Sequence, residues 1–164
     1  MKEHRTLNIE HRTSNEKPGS ARLAAQSAAN QRVFDREERL LEFASVIIDI
    51  SEILPKTRAG NHLAGQLLRS GTSPCSNHGE AESAESQDDF IHKMKVCLKE
   101  LRETRRWLRL IDRKKWLIES KDLPFALREI EELIRIFAAS VRTAEKNRQR
   151  TARTQAPINP NPVS

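Results

Sequence analysis

Between Val33 and Ala144, apolar residues recur every three or four positions in four blocks, and the breaks between blocks carry Pro55, Ser86 and Pro124. That spacing puts the apolar side chains on one stripe of an α-helix, and four such helices must bury their stripes against one another. The chain is therefore expected to be all-α, an antiparallel up-down-up-down four-helix bundle with short loops. Five glycines and no tyrosine argue against a β-sandwich, whose turns need glycine and whose strands favour aromatics.

The first block predicts a helix from about Val33 to Leu54, stopped by Pro55. Leu40, Ala44, Ile47, Ser51 and Leu54 form one stripe, Phe43, Val46, Ile50 and Ile53 a second, and Phe34, Leu41 and Ile48 a third. At the helical repeat these cover an arc of about 260°. The polar remainder holds Glu38, Glu42, Ser45, Asp49 and Glu52. An edge helix of a monomeric bundle needs a stripe only somewhat wider than about 100°. The excess has two readings: a subunit interface, or deep burial by the same chain.

The second block, from near Thr57 to about Ala84, carries Leu63, Ala64, Leu67 and Leu68, then small residues. Pro74 cannot donate to the carbonyl of Ser70 and crowds it, so a bend is expected near Ser70–Pro74, helped by Gly71. Ser86-Gln87-Asp88-Asp89 reads as a third helix start, with Ser86 as cap and the carboxylates at the positive end of the dipole. That helix runs to about Asp112 on Phe90, Met94, Cys97, Leu101, Leu108 and Ile111, with a narrower second stripe of Val96, Trp107 and Leu110. The fourth, from about Leu123 to Ala144, accepts Pro124 in its first turn and presents Leu127, Ile130, Leu133, Ile134, Phe137 and Val141.

The formal charge of +6 is unevenly spread: residues 1–32 carry a net +3, residues 142–164 a net +4, and the middle a net −1. Residues 1–32, which repeat Glu-His-Arg-Thr at positions 3 and 10, are expected to be a disordered basic extension, with partial helix in the alanine-rich stretch 21–29. The bundle is assigned to residues 33–143, and residues 144–164, basic and then proline-rich, to a disordered tail. No run of about twenty apolar residues exists to span a bilayer, and the first residues lack the apolar core of a signal peptide. The expectation is a cytoplasmic protein that does not engage a membrane. Cys75 and Cys97 are then free thiols, buried as small apolar groups.

Catalytic chemistry finds little purchase. A di-iron bundle needs paired Glu-x-x-His motifs, and none occurs; Asp89-Phe90-Ile91-His92 is the nearest. Cys75-x-x-His78 lacks the second pair a zinc site requires. No nucleophile elbow or phosphate loop appears. The chain is read as a non-enzyme with no metal and no cofactor. The strongest electrostatic feature is the third helix and its exit: from Lys93 to Lys115 ten basic groups face three acidic ones. Arg102, Arg105, Arg106, Arg109, Arg113, Lys114 and Lys115 are candidate phosphate contacts for RNA or DNA, which would show steep salt dependence. The plainer reading is a solvated face paired with neighbouring acids. The 80–89 stretch carries five acids and no base, so the second and third helices should form a hairpin negative at its turn. Its register sets Asn77 level with about 94–97 and predicts an ion pair of Glu80 with Lys93 or a neighbouring subunit's base.

The run Leu67-Leu68-Arg69-Ser70-Gly71-Thr72-Ser73-Pro74, then Asn77, Glu80-Ala81, Ser86, Asp89-Phe90 and Lys99-Glu100-Leu101-Arg102-Glu103-Thr104-x-x-Trp107-Leu108, resembles the bacterial four-helix-bundle family named for proteins encoded in 23S rRNA intervening sequences. The resemblance covers roughly residues 33–143. It implies a ring-shaped homopentamer without enzymatic activity, and Arg69, Ser70, Ser73, Asn77, Glu80, Ser86, Asp89, Glu100, Glu103, Thr104 and Trp107 as its polar motif positions. The chain is similar as well to the accessory variability protein of diversity-generating retroelements, which implies nucleic acid and a reverse transcriptase as partners. The nearly neutral middle of this chain speaks against carrying over strong nucleic-acid binding.

Overall fold

The computed structural model describes residues 18–155. The repeat at positions 3 and 10 and Pro157, Pro160 and Pro162 lie outside the described residues. Four helices follow in order: α1 (Pro18–Ile53), α2 (Arg58–Glu82), α3 (Gln87–Lys114) and α4 (Asp122–Gln155). The contacts of the described residues divide at Asp35: those up to Asp35 form one unit and those from Arg36 a second, which holds the bundle.

Two boundaries differ from expectation. The chain is helical from Pro18, not from Val33, because proline is accommodated in a first turn and nothing between Gly19 and Pro55 breaks the alanine-rich run. It stays helical to Gln155, not Ala144, because Lys146 to Arg153 holds good helix formers and no breaker. The assigned N-terminal extension and C-terminal tail are therefore helical over 18–32 and 144–155.

The internal starts follow their caps. Thr57 is extended, and its hydroxyl accepts from the Gly60 amide at 3.1 Å. Ser86 does the same for the Asp89 amide at 3.1 Å. Each satisfies one of the orphan amides of a first turn. α3 ends on Lys115, held left-handed at φ 55°, with its amide on the Asp112 carbonyl at 3.0 Å.

Cross-helix bonds give the directions. Early residues of α2 meet late residues of α3, as Ser70 meets Thr104 and Glu80 meets Lys93. In the same sense Asp88 of α3 meets Arg148 of α4, and Arg105 meets Glu131. Arg36 donates to Ser140 at 3.2 Å, and Arg39 pairs with Glu129 at 2.6 Å, tying α1 antiparallel to α4. The result is an up-down-up-down bundle. Its core holds Leu40, Phe43, Ile47 and Ile50 from α1, Leu67 from α2, Met94, Cys97, Leu101, Leu108 and Ile111 from α3, and Ile130, Leu133 and Phe137 from α4.

α2 runs unbroken through Pro74. Gly71, three residues before Pro74, also packs against α1. A Cβ on it would sit 2.6 Å from Cγ2 of the buried Ile47, so at Gly71 α1 and α2 approach closely.

The predicted stripes sort sharply. Leu40, Ala44, Ile47, Ser51 and Leu54 are all buried. Leu41 is 51% exposed, Ile48 45% and Ile53 53%. Leu41 and Ile48 belong to the third stripe and stand uncovered among the described residues, whereas Ile53 is the exposed end of a second stripe whose Phe43 and Ile50 are buried.

Candidate functional site

The motif positions converge on the seam between α2 and α3. Arg69 leaves α2 one residue before the buried Ser70 and reaches two carboxylates of α3, Glu100 at 3.3 Å and Glu103 at 2.5 Å. Glu100 is buried, and Glu103 also accepts from the Trp107 indole at 3.4 Å. One turn deeper the hydroxyls of Ser70 and Thr104, both fully buried, lie 3.0 Å apart, and Thr104 also lies 2.9 Å from the Glu100 carbonyl. Buried polar groups are costly unless paired, so this ladder admits one register of α2 on α3. Near the turn, Lys93 pairs with Glu80, as predicted within the hairpin, and the contact raises the Lys93 pKa.

Other motif residues act locally. Asn77 donates to the Ser73 carbonyl at 2.9 Å and hydroxyl at 3.0 Å, within its own helix. Ser86 is the α3 cap, and Asp89 lies in that first turn.

The candidate phosphate contacts divide. Arg102, Arg106, Arg109 and Arg113 are exposed and form no ion pair among the described residues. Arg106, Arg109 and Arg113 line an open groove with Trp107, Leu110 and Glu103. Arg105 does not belong with them. It turns to α4, pairs with Glu131 at 3.2 Å and keeps its Nε buried without a partner. Helical phase explains this: Arg105 is four residues after Leu101, on the flank that packs against α4. Lys114 lies over the Trp116 ring at 5.9 Å, and Lys115 pairs with Asp112 at 3.4 Å. The α3–α4 flank adds Lys95 with Glu145 at 2.7 Å.

In the sequence, His78 stands three residues after Cys75, at a position where the resemblance implies an aromatic or aliphatic residue. It is buried edge-on to Phe137, ring centres 5.7 Å apart, with Nε2 3.7 Å from the Glu82 carboxylate. Burial pushes its pKa below the ordinary 6.5, against the opposing pull of Glu82. Cys75 donates to the Leu40 carbonyl at 3.4 Å, and Cys97 to the Pro74 carbonyl at 3.7 Å. Burial raises both thiols, Cys97 to about 12, so neither is poised as a thiolate. Among the described residues no three His, Cys, Asp or Glu side chains gather to hold a metal, and no helix is long and apolar enough to cross a membrane.

These features define a class: an antiparallel four-helix bundle whose second and third helices are keyed by a buried polar seam. The family model described as 23S rRNA-intervening sequence protein matches residues 37–139, and the seam lies wholly inside that span. The chain belongs to this family. It is similar to the crystal structure of a protein with unknown function from the S23 ribosomal protein family of Bacteroides thetaiotaomicron VPI-5482. The identity is 30% and the TM-score 0.61, with 67% of this chain and 97% of that chain covered. No curated protein matches the chain.

Proposed function

We propose that the protein is a non-enzymatic scaffold that assembles with copies of itself. One observation carries this reading: large apolar side chains stand exposed on regular helices of a well-packed bundle. Besides Leu41 and Ile48, Leu68 is 39% exposed and Leu110 40%. Leu41 and Ile48 are two helical turns apart, so they form a strip of the kind that marks protein contact. A ring of five is the stoichiometry the family resemblance implies. The buried Cys97 thiol, the Cys75 thiol, which is half-buried rather than buried as expected, and the mutually bonded Ser70 and Thr104 hydroxyls favour a structural over a catalytic role. Multi-angle light scattering on the full chain tests the reading. A mass several times the 18.8 kDa of one chain is expected; a monomer at tens of micromolar refutes it.

A second reading, contact with RNA or DNA, is favoured by Arg102, Arg106, Arg109 and Arg113, which form no ion pair among the described residues. It predicts retention of nucleic acid that falls steeply between low and moderate salt. Retention that does not depend on salt refutes it.

A further inference from the structure

The outward face of α1 is acidic. Glu38, Glu42, Asp49 and Glu52, with Ser45 between them, follow one helical stripe; all are exposed and none of the four carboxylates forms an ion pair among the described residues. Leu41 and Ile48 border that stripe. The outward face of α3 is its opposite. Lys99, Arg102, Arg106, Arg109 and Arg113 are exposed and equally without ion pairs among the described residues, bordered by Leu110 and the half-buried Trp107. Both stripes run about four helical turns, ~21 Å at the helical rise.

We infer that the acidic face of α1 in one copy docks on the basic face of α3 in the next. The inference rests on the self-assembly reading and names its faces. Two surfaces of equal length, one carrying four carboxylates and one five cations, all without ion pairs among the described residues and each with an apolar edge, are complementary in charge and chemistry. Each α1 face repels another α1 face, and each α3 face another α3 face, so the charges also exclude the wrong pairings. Helices α1 and α3 stand on a diagonal of the up-down-up-down bundle. The contact is thus head-to-tail: every copy offers both halves, and the assembly grows past a dimer until rotation closes it.

Charge reversal tests this in the full-length chain. One variant is E38K/E42K/D49K, a second R106E/R109E/R113E, and a third carries all six changes. Every substituted residue is exposed, and circular dichroism checks that each variant keeps its helix content. Sedimentation velocity reads the mass. Each single-face variant should fall to the monomer, and the six-fold variant, with attraction restored in reverse, should recover the wild-type mass. Equimolar mixing of the two single-face variants should also restore assembly. A wild-type monomer defeats the self-assembly reading itself. Assembled wild type with unaffected single-face variants overturns only the inference, as does a six-fold variant that folds but stays monomeric. An α3 variant that keeps its mass and loses RNA retention gives that face to nucleic acid and likewise overturns it.

Discussion

Gly71→Ala and Gly65→Ala are the same chemical change in the same helix, and the structure gives them different outcomes. A methyl on Gly71 would lie 2.6 Å from Cγ2 and 3.0 Å from Cγ1 of Ile47. Ile47 is fully buried and β-branched, with one dominant rotamer in a helix, so neither carbon can swing aside. Reaching an ordinary carbon–carbon contact of ~3.5–4 Å requires α1 and α2 to part by roughly 1 Å. Overpacking of this kind costs about 1–3 kcal/mol. Helix propensity returns about 1 kcal/mol for replacing glycine with alanine. Gly71→Ala should therefore be between neutral and about 2 kcal/mol less stable than wild type. Gly65 has nothing within 4 Å of its added methyl, so Gly65→Ala keeps the gain of about 1 kcal/mol. Thermal melts at one protein concentration should separate the two variants by roughly 4–12 °C. Adding Ile47→Ala should cost less in the Gly71→Ala background than in wild type, because it removes both clashing carbons. A Gly71→Ala variant melting level with Gly65→Ala would refute the tight α1–α2 crossing.

Three further outcomes are expected. Arg69→Met leaves the buried Glu100 without its partner and should cost about 1–3 kcal/mol in urea unfolding, part of it regained by adding Glu100→Gln; no coupling between the two changes would count against the clamp. His78 is held below its ordinary 6.5, so between 6.5 and its lower folded value the unfolded chain binds the proton that the folded chain refuses. Its contribution is complete above 6.5 and is lost as pH falls through that window; His78→Leu should flatten the decline from pH 7 to 5, and an unchanged slope would contradict it. Lys115→Gly removes a side chain from a left-handed cap and should add about 1 kcal/mol, read as a raised urea midpoint; a lowered midpoint would show that the Lys115 side chain matters more than its backbone.

Much of the architecture was legible because its causes are local. The period of Leu40, Ile47 and Leu54, the Ser86 cap with its acidic first turn, and the Pro55 stop are each set by a few neighbouring residues. Glu80 with Lys93 was legible too, since a short turn leaves an antiparallel hairpin little freedom of register. The outer helix ends were misjudged because polar, alanine-rich sequence is compatible with both helix and coil.

What only the tertiary structure decided concerns which side of each helix meets a neighbour. Arg105 and Arg106 are identical in composition and adjacent in sequence, yet one is tied to Glu131 and the other forms no ion pair among the described residues, because 100° of helical phase separates a packed flank from an open one. Gly71 as a crossing point and His78 as a core residue against Phe137 depend on residues far along the chain, which no local pattern specifies. Sequence alone determined that α1 had more apolar surface than a bundle edge needs. Packing alone determined that Leu41, Ile48 and Ile53 are left uncovered among the described residues, because the neighbouring helices can shield only the arc that faces them.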